Sequence, residues 1–213
     1  MTVRMACTGW RTRRPCAAAF RTIETIPALV LAAGASRRFG SSKALAQWHG
    51  QVLLDHAIAQ ARQLSPDVRV VTGCRAPLLP LRAHRHPSSW LYTADWRKGL
   101  SASLQLGIRT LPSPAQGVFV VLVDQPLIDS DGLARLREAA RRQPGLPFAA
   151  DYDGRPGVPA YLPRWLRPAL MTLEGDRGAG PLLKAAGARR LDIGGVTADV
   201  DTPGDLATLK PSL

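Results

Sequence analysis

The chain has 213 residues, 46% hydrophobic and 21% charged, which is enough to bury a core and ordinary for one globular domain. Lys and Arg outnumber Asp and Glu by 28 to 16, a formal charge of +12, so the candidate partners are anions: nucleic acid, acidic lipid or phosphorylated small molecules. Cys7, Cys16 and Cys74 form no CxxC and no Cys/His pair at zinc spacing, and no apolar run reaches the roughly 18–20 residues of a membrane span, so a cytoplasmic protein without structural zinc or disulfide framework is expected.

Residues 1–25, MTVRMACTGWRTRRPCAAAFRTIET, carry five arginines and one acid. Their stretch CAAAF falls short of the roughly 7–15 apolar residues of a signal-peptide core. A disordered basic extension is expected there, with a single domain over 26–213. IPALVLAA then reads as a buried strand, nearly continuous in apolar residues as parallel strands are. VLLDHAIAQARQL places Leu54, Ala57, Ile58, Ala61 and Leu64 on one helical face. DVRVVTG and WLYTAD read as strands, and LSASLQLGIRTL as a helix with Leu100, Leu104, Ile108 and Leu111 in register. GVFVVLVD is a strand ending on an acid, and SDGLARLREAARR an amphipathic helix opened by a Ser–Asp cap.

The second half has shorter elements. PFAAD and VPAYL read as strands around the turn YDGRPG, PRWLRPALM and GPLLKAAG as short helices, and RRLDIG as a strand. DTPGDLATL reads as a final helix with Asp or Thr as cap and Pro just inside it. Alternating strands and helices predict an open α/β sheet with helices on both faces, whose ligands bind beyond the carboxyl ends of the strands.

LAAGASRRFGSSKAL (31–45) leaves the first strand through a loop longer than a plain connection needs. It is neither a Walker A, which needs Gly-Lys-Ser/Thr after its four-residue spacer, nor a GxGxxG. It nevertheless holds the parts of an anion cradle. Gly34 is expected to turn the backbone out of the strand, Ser36 offers a hydroxyl, and Gly40 permits close approach. Arg38 and Lys43 supply charge-assisted contacts to phosphate oxygens. Asp124 ends the strand VVLVD at the same sheet edge. A carboxylate beside a cationic loop makes chemical sense when a divalent metal bridges acid and phosphate, as magnesium does. ADVDTPGDL places Asp199 and Asp201 two apart, on one face of an extended segment, while Asp201 is equally placed to cap the helix that Pro203 begins.

With these segments placed, the sequence resembles the molybdenum cofactor cytidylyltransferases, within the sugar-nucleotide-type NTP transferase folds. The resemblance rests on LAAGASRRFGSSKAL, matching LAAGxSxRxGxxK, on DQP at 124–126, GRPGVP at 154–159, GDRGAG at 175–180 and DVDTPGDL at 199–206. It implies a Rossmann-like three-layer α/β/α fold with a mostly parallel mixed sheet, of nucleotide-diphospho-sugar transferase type. It also implies an Mg2+-dependent transfer of CMP from CTP to the terminal phosphate of molybdenum-molybdopterin, with release of pyrophosphate. Leu31, Ala32, Ala33, Gly34, Ser36, Arg38, Gly40 and Lys43 would then bind the nucleotide. Lys43, Arg38 and Asp124 would be catalytic, with Asp124, Asp199 and Asp201 as metal ligands. A molybdoenzyme chaperone is a further implied partner; membrane and nucleic acid are not. The chain departs from the family at Thr93 and Ala94, where Asn is frequent, at Val158 in place of His and at Gly180 in place of Arg, all in segments expected near the acceptor or nucleotide.

Other readings stay open at this level. A guanylyltransferase of molybdopterin, or of a phosphorylated acid of phospholactate or phosphoenolpyruvate type, fits the same fold, although Ala33 in LAAG resembles the cytidylyl branch. A basic nucleic-acid-binding protein fits the charge but shows no recognition motif. His84 and His86 form an HxH without a third ligand, His56 sits on a helix, and Ser101 and Ser103 stand where a helix cap would.

Overall fold

The structure is a computed structural model, and it describes residues 25–209. The expected extension at 1–25 lies outside the described residues except for Thr25. Seven strands form one sheet in the order β5-β4-β1-β6-β8-β7-β9. In chain order these are β1 (Ala28–Ala32), a separate hairpin of β2 (Gln47–Trp48) and β3 (Gln51–Val52), β4 (Val68–Thr72), β5 (Ser89–Tyr92), β6 (Gly117–Leu122), β7 (Phe148–Tyr152), β8 (Arg155–Pro163) and β9 (Arg189–Leu191). Only β8 runs against its neighbours β6 and β7; the other pairings in the sheet are parallel.

The apolar run of β1 is explained by its central place, because both faces are covered. Ala28, Val30 and Ala32 face one core, and Leu29 and Leu31 the other. The first core is closed by α1 (Leu53–Leu64), α2 (Leu78–Arg82) and α4 (Ser130–Arg142) through Leu54, Leu79 and Leu136. The second is closed by α3 (Leu100–Arg109), α5 (Arg167–Leu170) and α6 (Gly180–Ala185) through Leu104, Leu170 and Leu183. A Cβ on Gly107 would lie 2.6 Å from Leu29 Cδ1, so α3 rests on β1 with no room for a side chain between them. Truncating Leu29, which is fully buried, costs about 2–5 kcal/mol by the measure of other core leucines. The three-layer, mostly parallel sheet is as expected.

The structure corrects some local expectations and decides between the alternatives of others. The cap of α4 is Asp129, whose carboxylate accepts from Gly132 N–H, rather than Ser130–Asp131. The last helix, α7 (Pro203–Thr208), is capped by Thr202 in a capping box with Asp205, so Asp201 is released from capping. No side chain caps α3; Ser101 and Ser103 are buried instead. The β2–β3 hairpin was not foreseen. Its turn, His49–Gly50, takes positive φ at both residues, the requirement of a tight two-residue hairpin that Asn-Gly usually meets. His84 Nδ1 and backbone N–H meet the buried Asp55 carboxylate at 3.2 Å, and Arg85 N–H donates to it at 2.8 Å.

Candidate active site

The loop between β1 and β2 winds into two short 3-10 turns, Arg37–Phe39 and Lys43–Leu45. Ser36 at φ 50° and Gly40 at φ 75° flank the first turn in left-handed conformation. Among the described residues, the N–H groups of Ala35, Ser36, Arg37 and Arg38 meet neither a carbonyl nor a side-chain acceptor. They form a run of unsatisfied donors at the sheet's carboxyl edge, which is the make-up of an anion-binding concavity. Gly34, two residues past the end of β1, is not among the glycines of positive φ. A Cβ there would meet nothing within 4 Å, so the position is left open toward the cleft.

A small apolar cluster sets the rest of the arrangement. Phe39 in the loop, Leu53 at the start of α1 and Val200 pack together. Val200 N–H donates to Asp124 O at 2.8 Å, which draws the 199–201 segment alongside the turn after β6. Asp124 itself stands two residues beyond Leu122, the end of the strand. With Val200 buried, Asp199 and Asp201 flank it on the outer side.

The Lys43 side chain, 10% exposed, places Nζ 3.0 Å from Asp201 Oδ1 and 3.3 Å from Asp124 Oδ2. Arg38 Nη1 lies 2.7 Å from Asp201 Oδ2, in a pair far more exposed to water. Asp124 Oδ1 is buried and has no hydrogen-bond partner. Asp199 makes neither of these contacts; its Oδ1 accepts from Gln125 Nε2 at 3.0 Å. Although Asp199 as a residue remains exposed, partial burial of its carboxyl pushes its pKa up. The charges of Asp124 and Asp201 add to that rise, and the Gln125 bond and Lys43 offset part of it.

A cleft of about 500 Å³ opens over these groups. It is lined by nine of the eleven residues expected at the site: Leu31, Ala32, Ala33, Gly34, Ser36, Arg38, Lys43, Asp124 and Asp201. Gly40 and Asp199 are set back from it. The far wall comes from two segments expected near the acceptor or nucleotide, and the residues it presents, none of them chosen from the sequence as site residues, are Trp96, Gly99, Leu100, Ser103 and Asp176. Arg97, also on that wall, stacks over the Trp96 ring at 4.6 Å from its centroid. Gly99 fixes where that wall stands. Its φ of 100° and the backbone of Gly175 and Asp176 pressed against it leave no space for a Cβ, so α3 begins directly against the GDRGAG loop.

The model of the family described as the MobA-like NTP transferase domain matches residues 28–191. The chain belongs to this family. This MobA-like domain is thereby a nucleotidyltransferase. It is 24% identical to the molybdenum cofactor cytidylyltransferase of Escherichia coli strain K12 over 192 residues, which cover 88% of this chain and 97% of that protein. Among solved structures it is similar to Rv0371c of Mycobacterium tuberculosis H37Rv, with a TM-score of 0.75 and 26% identity over 86% of this chain and 99% of the other. A complex of Rv0371c with manganese superposes with a TM-score of 0.72 at 24% identity, covering 87% and 100% of the two chains. Among the described residues of this MobA-like domain, no helix is long and apolar enough to cross a membrane.

Proposed function

We propose that this protein transfers CMP from CTP to the terminal phosphate of molybdopterin in a magnesium-dependent reaction that releases pyrophosphate. One observation carries the reading: a nearly buried ammonium, Lys43, is shared by two carboxylates beside a loop of four unbonded amides, at the edge of a cleft of triphosphate size. The likeness to a molybdenum cofactor cytidylyltransferase supports the choice of nucleotide and acceptor.

The chemistry is an in-line exchange. An oxygen of the acceptor's phosphate forms a bond to the α-phosphorus of CTP, the bond to the bridging oxygen breaks, and pyrophosphate leaves with that electron pair. The nucleophile is already anionic near neutral pH, so the protein's task is to bring two polyanions together. Lys43 is assigned to the charge that builds on the α-phosphoryl group. Arg38 and the amides of Ala35 to Arg38 are assigned to the β and γ oxygens that depart. Low exposure around Lys43 strengthens its contact relative to water. Arg38 and Lys43 are held by Asp201 in this state, so binding a triphosphate exchanges a carboxylate for phosphate oxygens.

The residues present fit a divalent cation. Asp124 offers a buried, partnerless oxygen, with Asp201 and Asp199 nearby as further oxygen donors. Among the described residues no three acids, histidines or cysteines are gathered into a ready-made metal cage. This donor set suits magnesium, which takes one or two carboxylates together with substrate phosphates. When bound, the ion supplies charge neutralisation between the acids and the triphosphate.

The test is pyrophosphate release by purified protein with Mg2+, each nucleoside triphosphate in turn, and molybdopterin present or absent. Release with CTP and molybdopterin together is expected. Release with GTP instead would reassign the base, and silence with every nucleotide would overturn the assignment as a transferase of this acceptor.

A further inference from the structure

Three of the sequence segments singled out above meet at one buried side chain that the proposed chemistry does not use. Gln125, 2% exposed, follows Asp124 directly. The two N–H groups of its Nε2 are shared among three acceptors within reach: Asp199 Oδ1 at 3.0 Å, Val196 O at 3.1 Å and the Tyr152 hydroxyl. Tyr152 donates onward to Val158 O. Gly157 has no side chain because the Tyr152 ring lies across it, and a Cβ there would be driven into that ring. The backbone carbonyl of Gln125 is held in turn by Gln60 Nε2 at 2.8 Å, from α1. DQP, GRPGVP and ADVD thus converge on one amide.

The orientation of that amide is fixed by its neighbours. Three acceptor oxygens surround Nε2, so the opposite rotamer would set oxygen against oxygen. Held this way, Gln125 Oε1 is buried with no partner, at a cost of about 1–3 kcal/mol. A hydrocarbon of the same length would avoid that cost. The amide's worth at this place therefore lies in what its N–H groups hold, and the one charged group they hold is Asp199.

We infer that Gln125 is a positioning residue: through its bond to Asp199 Oδ1 it fixes the carboxylate next along the chain from the Val200–Asp124 contact, so that Asp199 supports the divalent cation from behind the cleft-lining Asp124 and Asp201. This rests on the proposed metal-dependent reading of the same site. Tyr152 completes the device by tying the β7–β8 hairpin to the segment that carries the acids. Partners of this kind orient ligands that they do not replace, and their loss weakens metal binding by about 10–100-fold.

The experiment is titration of the purified full chain with Mn2+, followed by electron paramagnetic resonance of the free ion. Gln125→Met keeps the length of the side chain and removes both N–H donors. It is expected to raise the Mn2+ dissociation constant by about 10-fold or more, and Asp199→Ala to do the same. The double variant should be no weaker than Asp199→Ala alone, because the first residue acts through the second. Gln125→Leu, which removes the same donors in another apolar side chain, should shift the constant in the same direction; it decides the matter if Gln125→Met does not fold. Unchanged Mn2+ affinity in folded Gln125→Met, or additive losses in the double variant, would overturn the inference and leave the proposed function standing. A wild-type protein that binds no Mn2+ would overturn the inference as well, and pyrophosphate release would still decide the proposed function.

Discussion

Lys43 and Asp201 are 158 positions apart in the chain and 3.0 Å apart in space. The contact is possible because Phe39 and Val200, each within four residues of one partner, share an apolar seat with Leu53. One cation thereby serves two acids from separate loops, and the same cation faces the cleft.

Removing that cation should affect stability and reaction unequally. Lys43→Ala leaves Asp124 and Asp201 facing each other, but both retain some contact with water, so a loss of about 1–2 kcal/mol in urea unfolding is expected. Turnover should drop by about 100-fold or more. Unchanged kinetics would place Lys43 outside the reaction.

Asp124→Ala separates the two effects further. Lys43 keeps Asp201, and a buried oxygen without a partner is removed, so the unfolding midpoint should stay close to that of the parent. Pyrophosphate release at saturating Mg2+ should fall by about 100-fold or more; near-normal release would take Asp124 out of the site.

Two glycines make a matched pair. Gly34 has an ordinary φ and open space where a Cβ would stand, so Gly34→Ala should leave stability within about 0.5 kcal/mol while raising the KM for CTP about tenfold. Gly99 has φ 100° and the backbone of Gly175 against it, so Gly99→Ala should cost about 1–3 kcal/mol or more. Thermal unfolding and KM measured on both variants check the contrast; equal behaviour would mean that the cleft is not shaped for a ligand at Gly34.

Acid should loosen the start of α7 through Asp205. Its carboxylate accepts from the N–H groups of Thr202 and Asp201, and these bonds hold its pKa below the usual carboxylate range. The resulting stabilisation is complete above the unfolded pKa. It is lost as pH falls from that value through the lower folded one. An Asp205→Asn variant should show a smaller drop in stability over that interval than the parent. Parallel stability curves would contradict the capping assignment.

The elements with a strong period were legible in the sequence. β1, β4, β6, α1, α3 and α4 were expected within a few residues of where they lie, because their burial is dictated by their own apolar pattern. What the sequence left hidden depends on contacts between distant segments. Asp201 read equally well as a cap, and the competing hydroxyl of Thr202 took that place. Gly34 read as the exit from the strand, and no local signal showed that Ser36 would share the left-handed conformation with Gly40. The far wall of the cleft, from Trp96 to Ser103, comes into register only because Gly99 lets α3 abut Gly175. The Gln125 network joins residues 60, 125, 152 and 199, and no local spacing announces such a meeting.

A single reversed strand has a lasting effect on what this scaffold can vary. Because β8 opposes β6 and β7, the tip that joins β7 to β8, at Asp153–Gly154, stands at the same sheet edge as Asp124. An all-parallel arrangement would have put a helical crossover there. A hairpin tip lengthens or shortens at little entropic expense and without rethreading the chain. The ground beside the acids is therefore open to remodelling by insertion, while the cationic loop after β1 stays anchored through Phe39 and Ala44.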